Sequence, residues 1–288
     1  MERLDLAPDF IGIGVQRAAT SWAYTLLNNH PQVYMPRKEM HYFDHDTENT
    51  VAWYRAQFDK ADSFQLRGEF TPDYISSGVA MRRLAQHCPH TKIIIFLREQ
   101  MERTFSAYQL FRSHGYFKNM GYKEALLKDK TLVEKSLYTS QLEIVFELFP
   151  RANVFICLQD EVKSDPFMVY RNICEFLGIN EVGPIVAIQE VKNSTAFASV
   201  QGTFGLQRIN DLLRIPVFRP IKRSKLYKST KRYIVARHKE QSRFEYPDTN
   251  VLMRFLEDTE KTEKLLDTPL SRWKHEQLAA MAAVDGVS

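Results

Sequence analysis

Cysteine is scarce: Cys88, Cys157 and Cys174 are the only three in 288 residues, and no C-x-x-C pair occurs. An odd count with irregular spacing argues against a disulfide framework or a zinc cluster, and it suits a reducing, cytoplasmic setting. Cys157 and Cys174 lie in apolar stretches and are expected to be buried, inert thiols. No stretch approaches the roughly 18 uncharged apolar residues of a spanning helix, so no membrane segment is expected. The start, MERLDLAPDF, has neither the basic opening nor the apolar core of a signal peptide. Glycine is missing where nucleotide loops need it. There is no G-x-x-x-x-G-K-[ST], and no third glycine follows Gly12 and Gly14 to complete G-x-G-x-x-G, so ATP hydrolysis and NAD binding both lose ground. The formal charge is only +4, which allows an anionic substrate but not a dedicated nucleic-acid binder. Metal-ligand spacings, internal repeats and low-complexity linkers are absent too. With 44% hydrophobic and 26% charged residues, a single domain over 1–288 with a sizeable core is expected.

What is present is organised around residues 10–27, FIGIGVQRAATSWAYTLL. The apolar run Phe10–Val15 predicts a strand, Gln16 to Ser21 a small-residue turn, and an amphipathic helix starts at about Trp22. The first N–H groups of a helix lack internal partners and its dipole favours negative charge, so such a turn is an anion site. Thr20 and Ser21 add hydroxyl donors, and Arg17 adds a forked cation. The expectation is a grip on an anionic donor substrate.

Further along, residues 32–35 read as a short strand, 48–61 as a surface helix and 78–87 as a helix. Thr91–Arg98 is a continuous β-branched run, as in a strand covered on both faces of a parallel sheet. Helices follow at 101–111, 121–129, 136–149 and 165–177, with a second buried strand at 153–158 and a final helix at 250–266. The terminal AAMAAVDGVS is expected to fray. Alternating strands and helices imply an α/β fold with a mainly parallel central sheet and helices on both faces. Ligands then bind beyond the C-terminal strand ends, where Arg17, Arg98 and Asp160 fall. Arg98 and Ser106, two turns into the next helix, together suit a second phosphate. Residues 192–232 are basic and include Lys222 and Arg223, forming either a flap over the active face or a solvated surface.

At this point the sequence resembles the PAPS-dependent sulfotransferase family. GVQRAATSWAYTLL is similar to its 5′-phosphosulfate loop, G-x-x-[KR]-x-G-T-[ST]-x-L, and LREQMERTFSAY to its 3′-phosphate motif, L-R-[DE]-P-x-x-R-x-x-S-x-Y. PRKEMHYFD, GEFTPDY, SLYTSQLEIVFELFP and LLDTPLSRW are similar, in order, to segments of the heparan-sulfate-type branch and its bacterial relatives. The resemblance covers nearly the whole chain, with 190–245 poorly matched, a variable segment covering substrate or cofactor. It implies a P-loop-like three-layer sandwich and transfer of a sulfuryl group from PAPS, leaving PAP. By position, Arg17, Ala18, Ala19, Thr20, Ser21 and Trp22 would hold the 5′-phosphosulfate, and Arg98 and Ser106 the 3′-phosphate. Glu39 would be the general base, with His41 and Asp44 orienting it and Lys38 neutralising charge. No metal is implied.

Competing readings stay open. Glu39 can be read as a surface carboxylate paired with Lys38, His41 as a packed ring, and His114 as the base. A P-loop nucleotide kinase or a degenerate nucleotide-binding module are the alternative functions. Ala19 replaces the loop's usual glycine, which demands a conformation without positive φ or a tolerated strain. Phe70 stands where the branch commonly has lysine, and this points to a less anionic acceptor, a small molecule rather than a glycan. Tyr42, Phe43, Trp53, Tyr54 and Phe70 hint at a partly apolar pocket. Neither the acceptor nor the oligomeric state can be read from the sequence.

Overall fold

The computed structural model describes residues 8–44, 49–63, 65–117, 119–182 and 244–286. The variable segment, with Lys222 and Arg223, lies outside the described residues up to position 243. The chain packs as two compact units, 1–99 with 137–192 and 100–136 with 193–288.

The first unit is built on five strands: β1 (Phe10–Gly14), β2 (Val33–Tyr34), β3 (Leu66–Phe70), β4 (Lys92–Leu97) and β5 (Val154–Leu158). They form one sheet in the order β2-β3-β1-β4-β5, with every pairing parallel. Ile93 to Leu97 have no exposed surface at all, as expected for a β-branched run covered on both faces. The β1–β3 register sets Phe10 opposite Gly68 and Gly12 opposite Phe70. Each ring lies over the facing glycine: a Cβ on Gly12 would meet Phe70 at 2.1 Å, and one on Gly68 would meet Phe10 at 2.0 Å. The two rings meet edge to face at 6.4 Å, which locks these strands by shape.

Among the described residues of this unit the helices are α1 (Thr20–Asn28), α2 (Val51–Ala56), α3 (Gly78–His87), and, past the second unit's first segment, a helix at Thr139–Leu148 and two at Gln159–Ser164 and Pro166–Leu177. Local signals account for their ends. Thr50 accepts from Trp53 N–H at the start of α2, and Ser77 from Ala80 N–H at the start of α3. Pro166 opens the last of the three, and Gly178, with φ 79°, closes it. The chain leaves β1 for β2 towards one edge and leaves β3 and β4 towards the other. Right-handed crossovers therefore put α1 and α3 on opposite faces, and the switch point falls between β1 and β4.

The second unit is helical where described. It contains Gln100–Ser113, Tyr122–Lys128, Thr131–Glu134, Thr249–Leu266 and Ser271–Asp285. The terminal stretch is thus helix rather than a frayed end, because Trp273, Gln277 and Ala280 form a buried stripe at helical spacing. At its centre Gln100, standing where the phosphate motif has proline, accepts from Thr259 Oγ1 at 2.9 Å and Gln277 Nε2 at 2.7 Å. All three cysteines are buried. Among the described residues no helix is long and apolar enough to cross a membrane.

Candidate functional site

The turn after β1 is strained. Arg17 has φ 76° and Ala19 φ 72°, so Ala19 adopts the left-handed conformation its missing glycine would have favoured. Helix α1 starts at Thr20, two residues earlier than the periodicity suggests. Its N-cap is Ala19, with no side-chain cap. An uncapped N-terminus carries orphan N–H groups and the positive end of the dipole. Ala18 is fully buried and Thr20 nearly so, while Ser21 is exposed and Arg17 half-buried. The Trp22 ring meets Phe96 edge to face at 6.3 Å, and its buried indole Nε1 has no hydrogen-bond partner.

Arg98 follows β4, across the switch point from this turn. Its Nη1 donates to Arg17 O at 3.1 Å, and its own carbonyl accepts from Tyr138 OH at 2.6 Å. Two arginines from adjacent strand ends are thereby tied together. Ser106 lies in the second unit on the helix Gln100–Ser113 and is buried. In the same helix Arg103 is buried, with Nη1 donating to Leu132 O at 3.0 Å and to Ser136 Oγ at 3.2 Å. His114 directly follows that helix. Asp160 is on the helix after β5 and pairs with Lys163 at 3.5 Å.

The loop after β2 carries the other group of expected residues. Lys38 Nζ donates to Ser21 Oγ at 2.7 Å and pairs with Glu39 Oε1 at 3.0 Å. One ammonium therefore bridges the turn after β1 and the carboxylate. The Lys38–Glu39 pair expected of a surface carboxylate exists, and the Glu39 side chain is 45% exposed. His41 Nδ1 lies 2.8 Å from Asp44 Oδ2. A carboxylate only accepts, so Nδ1 is the donor and Nε2 is the ring's other face. Asp44 Oδ1 is buried without a partner.

Glu39 and His41 both have positive φ, 58° and 53°, and the backbone around them is pinned from the β3 side. Glu39 N–H donates to Phe70 O at 2.8 Å, Met40 N–H to Thr71 Oγ1 at 3.0 Å, and Tyr42 N–H to Tyr74 OH at 2.9 Å. Beneath them Glu69, with no exposed surface, accepts from Tyr54 OH at 2.9 Å and from Thr71 Oγ1 at 3.5 Å. Burial pushes the Glu69 carboxyl up to about 7, against the hydrogen bonds from Tyr54 and Tyr74 that favour its charged form. Burial and the adjacent Glu69 also push the Tyr54 and Tyr74 phenols up.

The aromatic residues divide. Phe43, Tyr54 and Phe70 are core, at 1% exposure or less, and Phe70 covers Gly12 rather than lining a pocket. Tyr42 and Trp53 keep surface, stacked at 6.3 Å with the Arg37 guanidinium 5.5 Å from the indole. Sequence reasoning passed over Glu69, Thr71 and Tyr74 as site residues. The signal was a glutamate inside a strand flanked by Gly68 and Phe70, with hydroxyls two and five positions on.

A sulfotransferase domain model matches residues 7–203, and the chain belongs to the sulfotransferase family. It is 28% identical over 182 residues to human heparan sulfate glucosamine 3-O-sulfotransferase 6, an overlap of 61% of this chain and 53% of that protein. It is 27% identical over 183 residues to mouse heparan sulfate glucosamine 3-O-sulfotransferase 3B1, covering 61% of this chain and 47% of that one. The chain thus spans about half the length of the curated relatives it matches. Among solved structures, a sulfotransferase from Alicyclobacillus acidocaldarius superposes with a TM-score of 0.64 at 20% identity, over 93% of this chain and 99% of that one. That likeness shows the fold.

Proposed function

We propose that the protein moves a sulfuryl group from PAPS to a hydroxyl or amine of a small-molecule acceptor, releasing PAP. The observation that carries this reading is Lys38, whose ammonium is shared between Ser21 of the anion turn and the Glu39 carboxylate. It couples the place where a donor's phosphosulfate would rest to a group able to take a proton.

In this reading Arg17, Thr20, Ser21, the α1 N-terminus with Ala18 and Ala19, and the Trp22 indole N–H hold the 5′-phosphosulfate. Arg98 takes the 3′-phosphate. Glu39 accepts the acceptor's proton as its oxygen or nitrogen forms the new bond to sulfur in line with the departing phosphate oxygen. Lys38 and Arg17 stabilise the charge that collects on that oxygen as the old S–O bond breaks. Asp44 fixes the His41 ring, which orients the acceptor. Catalysis of this kind is mostly alignment and cationic stabilisation. Relatives named for heparan sulfate glucosamine argue for a glycan hydroxyl. Phe70, which supplies no cation where the resemblance expects lysine, argues for a less anionic acceptor, and we favour the latter.

The test is transfer from radiolabelled PAPS to a panel of phenols, alcohols, amines and heparan oligosaccharides. Glu39→Gln is expected to lower kcat about 10²–10⁴-fold, and Arg98→Ala to raise KM for PAPS about tenfold or more. A His114→Ala variant should keep its activity. Full transfer by both Glu39→Gln and Arg98→Ala would remove the role assignments. Turnover of ATP with Mg²⁺ would make the protein a kinase, and PAP binding without transfer to any acceptor would make it a degenerate binding module.

A further inference from the structure

A segment with two non-glycine residues in the left-handed region does not hold itself. Each such residue is strained, so the geometry of Glu39 and His41 depends on what restrains the backbone around them. The restraints on either side of His41 are hydroxyl oxygens: Thr71 Oγ1 for the Met40 amide and Tyr74 OH for the Tyr42 amide. A hydroxyl has one proton, and one that accepts a backbone N–H must place that proton elsewhere. Thr71 places it on Glu69 Oε2, Tyr74 also hydrogen-bonds Glu69, and Tyr54 donates to Glu69 Oε1. Glu69 itself has no surface, so it touches neither donor nor acceptor and can act only through these neighbours.

We infer that Glu69 is a positioning residue: its buried carboxylate collects the Tyr54, Thr71 and Tyr74 protons and so turns the Thr71 and Tyr74 oxygens towards the Met40 and Tyr42 amides that bracket His41. The arrangement is directional. A carboxylate only accepts, and with three hydroxyl donors around it each hydroxyl's lone pairs are left facing outwards to the loop. The charges of His41 and Asp44 act on the Glu69 carboxyl, with opposite signs, so the relay and the residues it positions also sense one another electrostatically. This inference rests on the proposed function for its effect on turnover, but not for its effect on the loop.

Glu69→Gln tests it with little change of shape. An amide brings two N–H donors into a site built from hydroxyl donors. One of the hydroxyls must then accept from Gln, and it loses a lone pair that the Met40 or Tyr42 amide had used. Hydrogen–deuterium exchange is read at those two amides, with the Val15 amide, bonded to Phe96 O at 2.8 Å, as the reference inside the same sheet. The expected result is exchange at Met40 and Tyr42 about tenfold faster or more, with Val15 unchanged. Thr71→Val should release only Met40, and Tyr74→Phe should release Tyr42 together with Phe43, whose amide donates to the same oxygen at 3.5 Å, while Thr71→Ser, which restores the hydroxyl, should restore protection. In turnover, kcat should fall about tenfold or more with KM for PAPS within about twofold, because the loop and not the donor grip is displaced. Unchanged exchange at Met40 and Tyr42 in Glu69→Gln would overturn the inference. So would equal acceleration at Val15, which would make Glu69 a plain core residue. If the wild-type chain transfers no sulfuryl group, the proposed function fails, and the exchange data still decide the relay.

Discussion

Glu69 makes the stability of the protein depend on pH in a direction opposite to that of an ordinary salt-bridged carboxylate. Its carboxyl is pushed from an ordinary 4.5 to about 7 by burial among Tyr54, Thr71, Tyr74 and Cys88, with Asp44 raising it further and His41 lowering it. The unfolded chain therefore releases this proton near 4.5 and the folded chain holds it until about 7. Between those values the native state binds more protons, so the unfolding free energy falls as pH rises. The contribution is fully present below the unfolded value and is lost by the time the pH has risen through the folded one. Across the interval from about pH 5 to about pH 8 the loss is about 2.5 kcal/mol. Glu69→Gln removes this titration, and the Tyr54 and Tyr74 phenols and the Cys88 thiol that Glu69 acts on are held above the pH range scanned, so the wild-type minus variant difference isolates it. Urea unfolding at several pH values, followed by Trp22 and Trp53 in the first unit and by Trp273 in the second, should show the wild-type midpoint moving against the variant's by roughly 1 M. The shift is expected in the Trp22 and Trp53 signal. Turnover should run the other way, since the relay needs an ionised carboxylate and a protonated one offers a donor in place of an acceptor. Parallel pH dependences in wild type and Glu69→Gln would refute the argument.

Two further perturbations probe the scaffold under the site. Gly12→Ala sets a Cβ 2.1 Å from Phe70 Cδ1, and this ring is already fixed by Phe10 and Tyr24. Overpacking of this kind costs about 2–3 kcal/mol, read as a fall in Tm of roughly 2–4 °C for each kcal/mol. Gly12→Ala/Phe70→Leu should recover at least half of it. Ala19→Gly relieves the strain of φ 72° but loosens the unfolded chain by about 0.4–1 kcal/mol. The relieved strain, at about 1–2 kcal/mol, is the larger, so urea unfolding should show a gain of about 0–1.5 kcal/mol, whereas Ala19→Val should destabilise clearly.

Much of this architecture can be read in the sequence, for identifiable reasons. The run Thr91–Arg98 sets three isoleucines before Phe96 and Leu97, an unbroken apolar stretch rich in β-branched residues that suits a strand covered on both faces, so β4 emerges at Lys92–Leu97. The Phe10–Val15 strand and its turn are equally plain, because small residues and a lone arginine have few other uses there. The start of α1 is less legible. Thr20 is helical only because Ala19 takes a left-handed backbone, and nothing in an alanine announces that. The aromatic group of Tyr42, Phe43, Trp53, Tyr54 and Phe70 misleads because period alone does not separate a buried stripe from a pocket wall. Phe43, Tyr54 and Phe70 turn inwards, and only the glycines opposite explain where Phe70 goes. The terminal helix is missed for a related reason. An alanine-rich end looks frayed until Trp273 and Gln277 are seen to anchor it. Glu69 and its hydroxyls are hardest to foresee, since Tyr54 lies fifteen positions upstream and no local rule joins them.

The strain in this molecule has a pattern that bears on what the two loops do. Asp267 takes a positive φ at a helix end, where the left-handed conformation ordinarily closes a helix, and Phe117 and Asn119 take one in the connection after the helix Gln100–Ser113. Arg17, Ala19, Glu39 and His41 do so in the two loops that Lys38 joins. At about 1–2 kcal/mol each, the four together cost roughly 4–8 kcal/mol, comparable with the net stability of a whole domain. A chain carries such a load only where the surrounding structure over-determines it, and here the restraints can be named: Arg98 on the Arg17 carbonyl, Phe70 O on the Glu39 amide, and the Thr71 and Tyr74 hydroxyls on the next turns of the same loop. Left-handed residues alternating with others turn successive N–H groups towards one side, which is how backbone makes an anion-binding concavity. The same conformation in the second loop sets Glu39 against Lys38, which also reaches Ser21. The strained turn and the strained loop are therefore joined through one ammonium, and residues at the end of β3 and just past it restrain the second of them.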